Sequence, residues 1–378
     1  MSGLTTKAIH SGYDPNAEDG AVIPPLHLSS TFKSGNKKAY EYSRSGNPTR
    51  EILEKTLAAL DNAKYSLAYS SGSAALANIA SLLKSGESIL FSSDAYGGTY
   101  RYITQVLRST GVGYKETDLT DLSKVEKELS TGNIKIVWVE TPTNPLLKVT
   151  DINKLAKIVH KSSAILVVDN TFATPVIQQP LKLGADIVVY STTKYMNGHS
   201  DSIGGSLSLS DEKTYERLKF LQNAIGAILS PFDSWLTSRG LKTLEIRMER
   251  HMKNAEAIAS LFDESLKVKK VFYPGLFKGQ QKKIVSSQMN HPGAMISIEL
   301  EDKYDPYKFI KALKYFPLAE SLGGVESLID HPASMTHASI PKAEREKIGL
   351  SEGLFRISVG IENKKDLIND IKQALAEL

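Results

Sequence analysis

The chain has 378 residues, 41% hydrophobic and 23% charged, with 46 Lys plus Arg against 42 Asp plus Glu, a formal net charge of +4. So small a surplus gives no nucleic-acid footprint, and the absence of cysteine excludes disulfides, zinc ribbons, iron–sulfur ligation and thiol catalysis. No run nears the roughly 18 apolar residues of a membrane helix, and residues 1–7 hold no apolar signal core, so the expectation is a cytoplasmic protein acting on a small molecule. The histidines, His10, His27, His160, His199, His251, His291, His331 and His337, are too scattered to predict a metal site.

Residues 1–50 are rich in turn formers, among them Pro15, Gly20, Pro24, Pro25, Gly46 and Pro48, and read as an extended arm. Helical periodicity is predicted over 50–60 and 73–83, with a short apolar strand at 88–91. Three β-branched runs follow, at 134–139, 164–168 and 185–190, with helical stretches between them. Near-continuous apolar strands alternating with helices predict an α/β domain over 51–245, built on a mostly parallel sheet covered on both faces. Beyond it the alternation ends. A long helix at 244–262, strands at 268–273, 294–300 and 355–359, and a closing helix at 365–378 predict a smaller α+β domain over 246–378.

An open parallel sheet binds its ligand at the carboxyl ends of its strands. Four predicted strands lead there into Tyr96, into Glu140 and Asn144, into Asp169, and into Ser191, Thr193 and Lys194. Asp169 either caps the turn through Asn170 and Thr171 or faces a protonated heteroaromatic nitrogen. Lys194 is either a solvated loop lysine or an amine desolvated enough to form a Schiff base. Together they match the needs of a pyridoxal 5'-phosphate enzyme, which also requires an anion cradle. The turn Ser70-Ser71-Gly72-Ser73 opens a helix and offers such a cradle, with the Ser191 and Thr193 hydroxyls as further donors. No G-x-G-x-x-G follows the first strand, which disfavours a dinucleotide fold. A catalytically silent scaffold remains the alternative.

The run 191–201, Ser-Thr-Thr-Lys-Tyr-Met-Asn-Gly-His-Ser-Asp, resembles the lysine signature of the transsulfuration, or Cys/Met-metabolism, pyridoxal phosphate enzymes. Segments 42–49, 96–99, 140–145, 168–172, 321–328 and 356–360 are similar to that family in the same order, from about residue 6 to 375. The resemblance implies fold type I: a cofactor-binding large domain, a smaller C-terminal domain and a homotetramer of active-site-sharing dimers. It implies that Lys194 is the Schiff-base lysine and proton shuttle, that Asp169 holds the ring nitrogen, and that Tyr96 stacks on the ring and serves as acid or base. Gly72, Ser73, Ser191 and Thr193 would bind the phosphate, and Tyr42 and Arg44 would reach it from the neighbouring subunit. Ser73 departs from the Met or Leu of many members, leaving its backbone amide to serve.

By the same resemblance Arg356, with Asn144 and Ser327, would hold the substrate α-carboxylate, unless Arg356 pairs locally with Glu352. The cysteine that methionine-cleaving members carry after the aromatic turn is missing. Glu41, Arg101 and Glu326 are similar to the polar set that Cγ-eliminating members place around the distal end of cystathionine, or else form a salt-bridged rim. The expected reaction is α,γ-elimination of the amino-acid substrate L-cystathionine to L-cysteine, 2-oxobutanoate and ammonia. The alternative is γ-replacement on an O-acylhomoserine by cysteine, ahead of methionine cleavage and of β-elimination.

Overall fold

The computed structural model describes residues 2–17, 20–36, 39–335, 343, 345 and 349–378; His337 lies outside the described residues. The arm begins differently from expectation, with a helix, α1 (Leu4–His10). Ala8 on its apolar face is buried, and Thr5 bonds Glu245 through both its N–H, at 3.0 Å, and its hydroxyl, so the segment is docked rather than loose. Among the described residues, the rest of the arm holds a 3-10 turn at Pro15–Ala17 and a bridge between Thr31 and Tyr42, and forms no further helix or strand before Pro48.

Helix α2 (Pro48–Asp61) starts where its sequence dictates: the Asn47 side chain accepts the Thr49 and Arg50 N–H groups, and Pro48 takes the first turn. Seven strands follow: β1 (Tyr65–Tyr69), β2 (Ser88–Ser92), β3 (Gly113–Thr117), β4 (Ile134–Glu140), β5 (Ile165–Asp169), β6 (Ile187–Tyr190) and β7 (Gly205–Leu209). They form one sheet in the order β1-β7-β6-β5-β4-β2-β3, in which only β7 runs against its neighbours. The apolar runs are the central strands. The three strands that periodicity missed lie at the margins: β3 is a polar edge, β7 alternates serine with leucine, and β1 mixes tyrosine, serine, leucine and alanine.

Between the sheets runs the helix Leu244–Asp263. The second sheet is antiparallel, in the order β10-β11-β9-β8, from β8 (Val268–Phe272), β9 (Met295–Leu300), β10 (Leu328–Asp330) and β11 (Leu354–Ser358). Helix Lys364–Ala376 closes the chain. Leu53, Leu57, Val188, Met248, Ile296 and Phe355 are fully buried in one apolar cluster that spans both sheets. Each contributes about 1.5–3 kcal/mol, which seats the C-terminal sheet firmly against the first. Among the described residues no helix is long and apolar enough to cross a membrane.

Candidate active site

Strands β2, β4, β5 and β6 are neighbours in the sheet, so the four chemically loaded strand ends emerge side by side. They open into a cavity of about 340 Å³ whose walls include Ser73, Tyr96, Asp169, Lys194, Ser321 and Arg356. Asp169 closes β5. Its Oδ1 accepts the Thr171 N–H at 3.0 Å while the carboxyl group also borders the cavity, so it caps the turn and faces the site at once. Burial raises its pKa.

Lys194 follows β6, and its Nζ donates to Ser321 Oγ at 2.9 Å. Burial, reinforced by the Arg356 charge, lowers the amine to about 8 against the opposing pull of Asp330 and Glu320. Its loop is gripped from below by Arg247, which sequence reasoning missed. That buried guanidinium donates to the carbonyls of Tyr195 at 2.8 Å, Gly240 at 2.9 Å and Met196 at 3.4 Å, and burial pushes it down to about 10. Gly198 has φ +76°, and a Cβ there would stand 1.9 Å from Arg247 Nη1. Only glycine permits both the backbone turn and the clamp.

Helix α3 (Gly72–Ala80) begins beside this loop. The Ser71 hydroxyl accepts the Ala74 N–H, leaving the Gly72 and Ser73 N–H groups ahead of the first intrahelical bond. A Cβ on Gly72 would come within 3.1 Å of Ser191 Cβ, so the bare glycine keeps the helix start and the β6 loop together around a cradle. Ser191 lines the cavity, but the Thr193 hydroxyl donates to Gly204 O at 3.1 Å and accepts the Gly204 N–H, so it does not stand free for an anion. The set fits pyridoxal phosphate: a desolvated amine, an acid and the Gly72 and Ser73 N–H groups of a helix start converge on one space.

Arg356, in β11, lies directly across the ladder from Asp330 in β10. Its Nε donates to Asp330 Oδ2 at 2.8 Å, its Nη2 to the same oxygen and to Ser321 O at 3.3 Å, and its Nη1 to Asn144 Oδ1 at 2.8 Å. Sequence reasoning offered Glu352 as a local partner; Glu352 instead takes Arg345 at 2.8 Å. The expected Ser327 is fully buried, with its N–H and hydroxyl on Glu362 at 2.6 and 2.9 Å, and does not line the cavity. Ser321, six residues earlier, occupies that wall with the unusual φ of +99°.

Other expected residues stay outside this chain's cavity. Tyr42 is 47% exposed, and Arg44 donates to Asn223 O at 3.0 Å with its guanidinium 5.8 Å from the Tyr42 ring centroid. Glu41 and Arg101 are exposed, and Glu326 accepts the Ser200 hydroxyl. Among the described residues no ion pair joins these three, so the salt-bridged rim is not formed within one chain.

The chain is 50% identical over 380 residues to the cystathionine beta-lyase of Coxiella burnetii, an alignment covering 99% of this chain and 98% of that protein. It is also 50% identical over 377 residues to the cystathionine gamma-lyase of Dictyostelium discoideum, covering 98% and 97%. The crystal structure of cystathionine gamma-lyase from Lactobacillus plantarum complexed with L-serine superposes with a TM-score of 0.97 at 42% identity, covering 100% and 99% of the two chains. Residues 5–376 match the model of the Cys/Met metabolism PLP-dependent enzymes. With a lysine, an acid and the start of a helix assembled at the strand ends where open parallel sheets take ligands, this chain belongs to that pyridoxal phosphate-dependent family.

Proposed function

We propose that the protein is a cystathionine γ-lyase, splitting L-cystathionine with water into L-cysteine, 2-oxobutanoate and ammonia. The observation that carries the reading is Lys194: among the described residues lining the cavity it is the one amine, lowered to about 8, and it shares that cavity with the acid of β5 and the guanidinium of β11. Pyridoxal phosphate, when bound, supplies an electron sink that makes the substrate's Cα and Cβ protons acidic. Lys194 would take the Cα proton and hold it at Nζ, and a second proton would leave Cβ as the Cγ–S bond breaks. Asp169 would hold the ring-nitrogen proton through its carboxylate. Arg356 would orient the α-carboxylate, with Asn144 and Ser321 fixing the guanidinium.

Tyr96 would stack on the ring and return a proton to the departing sulfur, while Phe172 and Leu322 exclude water. The exposed Glu41, Tyr42 and Arg44 support a site completed by a second copy, within a tetramer built of such pairs. The missing cysteine after the aromatic turn weighs against methionine cleavage. A second reading, β-elimination, is favoured by the Coxiella relative. Incubation with L-cystathionine separates them: 2-oxobutanoate with cysteine supports the γ-lyase, and pyruvate with homocysteine the β-lyase. Efficient cystathionine formation from O-succinylhomoserine and cysteine, with negligible cleavage, would instead identify a synthase.

A further inference from the structure

Glu140, the strand-end acid that opens segment 140–145, ends β4 and is 6% exposed, yet the mechanism gives it no role. Its Oε2 accepts the backbone N–H of Tyr96 at 2.9 Å, and its Oε1 accepts from the Thr99 hydroxyl at 2.9 Å. These contacts bracket the first turn of helix α4 (Gly97–Arg101), whose N-cap is Tyr96 and which otherwise has no side-chain cap. The Tyr96 ring folds back over that turn: a Cβ on Gly98 would stand 2.4 Å from the ring's Cε1. The ring's place in the cavity is therefore set by two things, the bare Cα of Gly98 and the carboxyl group of Glu140.

Glu140 also stands opposite Asp169 in the β4–β5 register, and both border the same cavity. Among the described residues no cation is paired with Glu140. Two adjacent carboxyl groups removed from water do not both ionise when one proton can be shared out at lower cost. Burial, with Asp169 adding to it, pushes Glu140 up to about 8.

We propose that Glu140 is a positioning residue, a neutral carboxylic acid that fixes Tyr96 for stacking on the cofactor while leaving Asp169 as the one negative charge of the pair. This rests on the stacking role given to Tyr96 above. A glutamine matches a neutral glutamic acid: its oxygen can accept from Tyr96 N and its amide can donate to the Thr99 hydroxyl.

The test uses the holoenzyme, reading the visible circular dichroism of the bound cofactor and its dissociation constant. Glu140→Ala should alter the dichroism band and weaken cofactor binding by about tenfold, and Glu140→Gln should rescue both to within about twofold. Tyr96→Ala, run alongside, tests the underlying reading: if it leaves the band unchanged, Tyr96 does not stack. A changed band in Tyr96→Ala with an unchanged one in Glu140→Ala overturns the role of Glu140. Equal damage from Glu140→Gln and Glu140→Ala overturns the neutral form. If Glu140→Ala does not fold, Thr99→Val removes one of the two contacts and must shift the band in the same direction; no shift overturns the proposal.

Discussion

The cavity has two walls of different origin. One is made by strand ends of the large sheet, with Asp169 and Lys194 delivered by β5 and β6. The other comes from the antiparallel sheet and the turn before β10, with Arg356, backed by Asp330, and Ser321. The first wall places chemistry by topology alone, since parallel strands must all end on the same side. The second places it by register, since Arg356 meets Asp330 only because β10 and β11 pair at those positions. A wall built by topology tolerates loss of a side chain structurally; a wall built by register does not.

The largest expected effect lies on the first wall. Lys194→Ala should lower turnover by about 10⁴-fold or more while leaving the fold intact, measured by 2-oxobutanoate release and by the melting curve. On the second wall Arg356→Leu should raise KM and also cost about 3–5 kcal/mol of stability, because Asp330 is left buried and unpaired. Adding Asp330→Leu should restore most of the stability in denaturant titrations and none of the KM. Equal structural tolerance of the two single replacements would break the comparison.

A titration sharpens it further. His251, fully buried beneath the second sheet, donates from Nδ1 to Val359 O at 2.7 Å, and burial lowers it to about 4. Its folded pKa lies below the unfolded value, so the unfolded chain takes up the proton first. Stability is complete above pH 6.5, falls as pH drops toward 4, and loses about 3 kcal/mol in all. His251→Asn should flatten that part of the pH–stability curve. The smallest contrast is between two serines. Ser321→Ala should reduce kcat/KM about tenfold through the lost Lys194 contact, whereas Ser327→Ala should leave kinetics unchanged and cost about 1–3 kcal/mol by freeing Glu362 and the Gly360 N–H.

The topological wall was legible in the sequence. β4, β5 and β6 are apolar runs because both faces are covered, and the first polar residues after them are the ones that meet the ligand space. The margins were not legible, because β1, β3 and β7 carry serines, glycines and charges that break the pattern. The register-built wall was half legible. Arg356 could be found as a residue type, but Asp330 is 26 positions away and Asn144 is 212, and nothing local ties them together. Ser327 and Ser321 share one motif, and between them stands the turn at Gly323, with φ +75° and no room for a Cβ, which would stand 2.6 Å from Tyr195 N; the pattern alone does not say which serine faces inward. Glu140 could be seen as a strand end, but its hold on Tyr96 and Thr99 could not, and Arg247 was invisible for the same reason: each acts on groups brought near by folding.

Arg247 also bears on how the protein meets concentrated electrolytes. Its grip on three peptide oxygens under the lysine loop involves no carboxylate partner among the described residues and lies away from solvent. At molar ionic strength, where charges in water lose sight of one another beyond about 3 Å, exposed pairs such as Lys269 with Asp302 fade, but dissolved ions do not reach this clasp. The Lys194 loop therefore keeps its setting in brine that strips the surface of its charge contacts.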